Sequence, residues 1–139
     1  MKSIIVSMYV KKDIYSILFI DNGFVVEKSV GRLQNADDVI LSKMLDVLNI
    51  VFRKVRGYTE KHNDITDIVF ELNNSTIIKW FDKVYSVENY QERFVKLLDL
   101  LDELPISYMF SYNKEPLSKN YAKKEYLDKL KLTSIFEEI

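Results

Sequence analysis

Cysteine is absent from the 139 residues, which excludes disulfides, thiolate nucleophiles and cysteine-held zinc or iron–sulfur centres. That absence suits a reducing compartment, and a cytoplasmic location is expected. Histidine occurs once, at His62 in the polar stretch Lys61-His62-Asn63-Asp64, so a histidine-rich metal site is excluded. With no Gly-x-Ser-x-Gly motif to supply a nucleophile, His62 is expected to be an exposed loop residue. The three glycines, Gly23, Gly31 and Gly57, are too few and too scattered for a phosphate-cradling loop or a dinucleotide fingerprint. Kinase, NTPase and Rossmann chemistry fall with them, and neither a cofactor nor a metal is assigned. No apolar run reaches the ~20 residues of a membrane span, and Met1-Lys2-Ser3 before Ile4 to Val6 lacks a secretory core, so no membrane is expected as a partner. The net charge of −1 gives the whole molecule no field toward nucleic acid. A bias toward Lys, Ile, Asn and Tyr over Gly, Ala and Pro fits AT-rich coding, as in a bacterium, a phage or a mobile element.

What is present is enough for one domain, able to bury roughly two-thirds of its unfolded surface. Ser3 to Val10, Ile14 to Ile20 and Phe24 to Val30 read as three antiparallel strands. Asn22-Gly23 between the second and third is the pair best suited to a type I′ hairpin turn, and Lys11-Lys12-Asp13 makes the first connection short. Asn35 with Asp38 predicts an N-cap, followed by a long helix to about Arg56, with Arg53, Lys54 and Arg56 in its last turn and Gly57 as its left-handed cap. Ile65 to Leu72 reads as a buried strand, and Asn74 or Ser75 caps a short helix to about Lys83. Ser86 begins a second long helix carrying Val87, Tyr90, Phe94, Leu97, Leu98 and Leu101, which Pro105 ends. Ile106 to Tyr112 is a fifth strand, Asn113 to Pro116 a turn, and Ser118 the cap of a last helix to about Leu130. The order is βββαβααβα, which implies an α/β fold with a mixed five-stranded sheet flanked by helices. Residues 1–131 form the expected domain. Residues 132–139 form a tail with Leu132, Ile135, Phe136 and Ile139 at helix-like spacing.

This order resembles the ribonuclease H-like superfamily over nearly the whole chain. Ile4 to Val30 looks like that family's first strand and hairpin, Asn35 to Leu48 like its first helix, Ile68 to Ile78 like its fourth strand entering a short helix, and Lys119-Asn120-Tyr121-Ala122-Lys123 like the opening of its last helix. The resemblance implies hydrolysis by two divalent metals on clustered carboxylates. The implied acidic positions fall at Ser7 or Met8, at Ile40, at Asn73 and at Lys123, and none is acidic. The chain is therefore expected to be a degenerate member, with Ser7, Glu71, Asn73 and Lys123 as a vestigial site and no catalytic residue assigned. Glu71 lies on the same strand face as Asn73, two residues before it. A residual metal-dependent nuclease would have to combine Glu71 with Asp37, Asp38 or Asp13.

Lys114 to Lys131 carries six lysines, with Tyr112 just before the segment and Tyr121 and Tyr126 interleaved in it. Such a surface can pair with phosphates and stack bases, or be an ordinary solvated helix face. The nucleic-acid-binding candidates are Lys119, Tyr121, Lys123, Lys124 and Lys129. The expected function is that of a non-catalytic module that binds another protein or a second copy of itself, possible in a phage or mobile element. A nucleic-acid-binding module using the basic C-terminal helix is the alternative.

Overall fold

Asn22 and Gly23 take positive φ, 51° and 83°, and turn β2 (Ile14–Asp21) back into β3 (Phe24–Arg32). This is the backbone of a type I′ hairpin turn. β1 (Lys2–Lys11) joins β2 through Lys12-Asp13, with Lys12 also at positive φ, so the expected meander is present, each neighbouring pair antiparallel. The computed structural model describes residues 2–33, 39–83, 86–87 and 89–119. β4 (Ile65–Leu72) and β5 (Ser107–Tyr112) add in parallel beyond β1, giving the order β3-β2-β1-β4-β5. Parallel neighbours need crossovers. α1 (Ile40–Lys61) connects β3 to β4, and α2 (Ser75–Phe81) with α3 (Gln91–Asp102) connects β4 to β5. The fold is the expected α/β arrangement of a mixed five-stranded sheet and flanking helices.

Alternation along the strands sends Ile4, Val6, Met8 and Val10 of β1, Ile17 and Phe19 of β2, and Ile68, Phe70 and Leu72 of β4 into one core. Met44, Leu48, Val51 and Val55 of α1 and Leu97 and Leu101 of α3 complete it. Each such side chain contributes roughly 1.5–3 kcal/mol on burial. Phe81 and Phe110 stack at 4.3 Å and carry the core under β5. The other face of the sheet is more polar. Its register aligns Lys28, Leu18, Ser7, Glu71 and Ser111 in one row across all five strands.

The helices differ from the sequence reading at their ends. Val39, extended at φ −78°, is the N-cap of α1 and makes no side-chain capping bond, while Asn35, Asp37 and Asp38 lie outside the described residues. Gly57 does not stop the helix, which runs four residues further, to Lys61. Contacts beyond Gly57 outweigh its deficit of about 1 kcal/mol in helix propensity. The Tyr58 ring packs edge-on against Phe19 at 5.1 Å, the buried Thr59 hydroxyl donates to the Val55 carbonyl at 2.9 Å, and Glu60 pairs with Arg56 at 3.6 Å. Arg53 and Arg56 are thus mid-helix residues, bonded to Asn49 and to Glu103 at the end of α3. His62 is exposed, as expected, and is the C-cap of α1, its ring stacked on Tyr58 at 4.2 Å.

Asn74 caps α2 by accepting from the Ile77 N–H at 3.0 Å. The second long helix begins at Gln91 and not at Ser86, because Tyr90 becomes its N-cap beside Trp80 and Arg93 reaches Ser42 and Asp46 on α1. After β5 only residues 117–119 of the expected last helix are described, and they are helical. The remainder of that helix and the 132–139 tail lie outside the described residues.

A Cβ on Gly57 would meet nothing within 4 Å, and the residue is helical. Gly57→Ala is expected to raise stability by about 0.5–1 kcal/mol in denaturant unfolding, by removing backbone freedom from the unfolded chain. A loss of stability would show that the position needs glycine.

Candidate functional site at the carboxyl ends of β1 and β4

Ser7 on β1 and Glu71 on β4 are register partners in the parallel pair, so both side chains leave the same sheet face side by side. The Ser7 hydroxyl donates to Glu71 Oε1 at 2.8 Å. The chain then returns to this point after β5. The Asn113 N–H donates to the Leu72 carbonyl at 2.9 Å, the Asn113 side chain accepts from the Glu115 N–H at 3.1 Å, and Pro116 leads the backbone over the sheet.

That strap bonds to the sheet at several atoms. The Leu117 N–H donates to Glu71 Oε1 at 2.8 Å, and Asn113 Nδ2 approaches Glu71 Oε2 at 3.5 Å. The Ser118 N–H donates to Ser7 Oγ at 3.0 Å, and the two hydroxyl oxygens share a further bond at 3.0 Å. With its single proton given to Glu71, Ser7 accepts in both of these. The Ser16 hydroxyl, from β2, donates to the Ser118 carbonyl at 2.6 Å. Ser7, Ser16 and Ser118 are each 0% exposed. Burial of hydroxyl groups is tolerable here because every one has a partner. Ser118, expected as a helix cap, is instead the residue that fastens the strap to β1 and β2.

Asn73 follows β4 on the same face as Glu71. Its Nδ2 donates to the Val10 carbonyl at 3.2 Å and its Oδ1 accepts from the Val10 N–H at 3.4 Å, so the side chain extends the β1–β4 pairing past the end of the backbone ladder. Only an amide can do both. A carboxylate offers acceptors alone and would face the Val10 carbonyl with no proton to share.

The structure therefore brings together Ser7, Glu71 and Asn73 and leaves other sequence candidates apart. Met8, the alternative to Ser7, points into the hydrophobic core. Ile40 is an exposed residue at the start of α1. Asp13 pairs with Arg32 at 3.2 Å. The Lys119 ammonium pairs with Glu115 at 3.0 Å, and this hydrogen bond holds its pKa above the ordinary lysine value. Tyr121, Lys123, Lys124 and Lys129 lie outside the described residues, as does Asp37. Among the described residues no three His, Cys, Asp or Glu side chains gather as a metal-binding group. Ser16, Asn113 and the backbone N–H groups of Leu117 and Ser118 were not singled out by sequence. The available signal was a serine inside each of two apolar strands, Ser7 in β1 and Ser16 in β2, where only a bonded hydroxyl is stable. A groove of about 430 Å³ between α1 and α3, lined by Leu45, Asp46, Arg53, Arg93, Lys96 and Glu103, is on the opposite side of the sheet.

No family model matches the chain, and no curated protein sequence matches it. Solved structures do. LC11-RNase H1, in complex with an RNA/DNA hybrid, superposes with a TM-score of 0.66 at 15% identity, covering 79% of this chain and 84% of that one. The fold is ribonuclease H-like. RNase H1 from the archaeon Halobacterium salinarum gives 0.62 at 12% identity over 85% of this chain and 90% of its own. The N-terminal RNase H domain of a Mycobacterium tuberculosis protein gives 0.61 at 10% identity, covering 89% and 90% of the two chains. Within this ribonuclease H-like sheet, the middle of β1 carries a serine, and the carboxyl end of β4 carries one bonded glutamate followed by an amide.

Asn73→Asp is expected to destabilise the fold by about 1–2 kcal/mol, because a bonded donor is replaced by an acceptor facing a carbonyl. Glu71→Ala should cost about 1–3 kcal/mol by leaving the Leu117 N–H and Ser7 hydroxyl without their acceptor, and Glu71→Gln should cost less, since an amide oxygen can still accept from both. Chemical unfolding measures all three. Equal stability for Glu71→Ala and the parent would show that the strap is not held by this residue.

Proposed function

We propose that the chain is a non-catalytic ribonuclease H-like module that acts by binding another protein. The non-catalytic reading rests on one observation: the chain's own groups already bond Glu71 and Asn73. The metal pair implied by the resemblance requires clustered carboxylates with free oxygens. Here Glu71 accepts from Ser7 and Leu117, Asn73 is turned to the Val10 backbone, and the Ser7 hydroxyl is neutral and fully buried. This donor set does not fit two divalent ions.

A protein target is supported by the surface. Phe24, Val25 and Val26 are 73%, 52% and 45% exposed, three successive apolar side chains that meet solvent beside the β2–β3 turn. Such groups are characteristic of interaction sites, and a near-neutral molecule has no general attraction for polyanions to compete with them. A nucleic-acid reading retains a specific support: Lys11, Lys12 and Lys114 are exposed where the carboxyl ends of β1, β4 and β5 meet, and the LC11 structure holds its hybrid.

Incubating RNA/DNA hybrid with the protein and Mg²⁺ or Mn²⁺ is expected to give no cleavage above that of Glu71→Gln, and neither ion should shift the thermal midpoint. Cleavage lost in Glu71→Gln would overturn the non-catalytic reading. Affinity capture should recover a stoichiometric protein, insensitive to added nuclease and reduced at least about tenfold by Phe24→Asp with Val26→Asp. Recovery that depends on nucleic acid, falls steeply with salt and drops in Lys11→Glu with Lys12→Glu would favour the nucleic-acid reading.

A further inference from the structure

The two edges of the sheet are built differently. β3 is broken by a register shift opposite Phe19 and Ile20 and carries Glu27, Lys28 and Arg32, the bulge and charges that discourage edge pairing. β5, the opposite edge, has neither. From Ile106 to Asn113 the sequence is Ile-Ser-Tyr-Met-Phe-Ser-Tyr-Asn, without a charge, a proline or a glycine. Tyr108, Met109 and Tyr112 are 40%, 59% and 52% exposed.

The backbone of β5 is oriented for a partner. The Asn113 N–H points to β4, where it donates to Leu72. In an extended strand the N–H and C=O of one residue point to the same side and alternate with those of the next. The backbone groups of Tyr108, Phe110 and Tyr112 therefore point away from β4, and among the described residues no strand lies on that side.

We infer that β5 pairs antiparallel with β5 of a second copy, about a twofold axis at Phe110, to make one sheet continuous through both molecules. The sequence is nearly palindromic about that residue. Phe110 would face Phe110 of the second copy, Tyr108 would face its Tyr112, and Met109 would face its Ser111. This register brings opposite each other the residues whose backbone groups point outward, so each of the aromatic pairs can exchange both backbone bonds. It places no like charges together, and cross-strand aromatic pairs are favourable. A twofold axis also makes the contact closed, so it ends at a dimer and does not propagate. Phe110 is held for this role by stacking on Phe81 and on Phe70 at 5.3 Å. The inference is independent of whether the module is catalytic or what else it binds.

Sedimentation equilibrium of the full chain is expected to show a reversible monomer–dimer equilibrium. Tyr108→Lys with Tyr112→Lys opposes like charges in the proposed register and should weaken association at least about tenfold. Tyr108→Lys with Tyr112→Glu removes the same rings but opposes unlike charges, and should associate about tenfold more tightly than the double-lysine variant. Hydrogen exchange on the unmodified protein adds a readout free of folding defects: the Tyr108, Phe110 and Tyr112 amides should slow with rising concentration while the Met109 amide does not. A protein that is monomeric at its highest soluble concentration would overturn the inference. So would a dimer in which both variants associate as tightly as the parent, or in which those amides do not slow.

Discussion

The parallel pairing of β1 with β4 fixes the rest of the site, because it sets Ser7 beside Glu71 on one sheet face. A shift of one residue would turn either side chain into the hydrophobic core, since alternate positions on both strands, Val6, Met8, Phe70 and Leu72, are fully buried. Register is thus held by the core and read out by polar groups on the other side. The strap after β5 then has a defined landing place. Leu117 and Ser118 present backbone donors to Glu71 and Ser7, and the Ser16 hydroxyl on β2 holds the strap's end by donating to the Ser118 carbonyl. Three strands and a loop converge on a few atoms, and removal of one partner leaves the others with buried groups to satisfy.

Charge explains how these residues sit together at the sheet end. Clustered carboxylates repel one another and are stable together only with cations between them. Glu71 stands instead among O–H and N–H donors, and Asn73 supplies both a donor and an acceptor to Val10. The sheet end is consequently stable with protein groups alone. A carboxylate at position 73 would require something other than the backbone to neutralise it, whereas the amide closes the sheet locally.

Much of this was legible in the sequence where local chemistry decided structure. Asn22-Gly23 specifies its turn, alternation in β4 specifies its core face, and the Asn74 cap sits where a short polar side chain precedes Ile77. Gly57 was not legible, because its effect on the helix is settled by Tyr58 against Phe19, a contact between residues 39 apart in sequence. The start of α3 was hidden for the same reason: Tyr90 and Arg93 answer to Trp80 and Ser42, not to their neighbours. At the site, Glu71 and Asn73 could be placed on one face from spacing alone. Their partners could not, since Leu117 and Ser118 contribute backbone donors and any residue type carries those.

The strap also bears on the sheet edge. By turning at Asn113 and crossing to Ser7 and Ser16, the chain leaves β5 on the polar face of the sheet instead of running back along the outer side of β5. An open edge is usually blunted by charge, by a bulge or by a covering segment. β3 uses the first two, and the path of the strap means that residues 113–119 do not provide the third for β5. The uncharged, aromatic composition of β5 is then difficult to account for as an ordinary solvated edge, because Tyr108, Met109 and Tyr112 would be held in water with their backbone groups. Pairing of that edge satisfies the backbone and shelters the rings together. The same bonds that fasten the strap over Glu71 are the ones that keep the strap off β5.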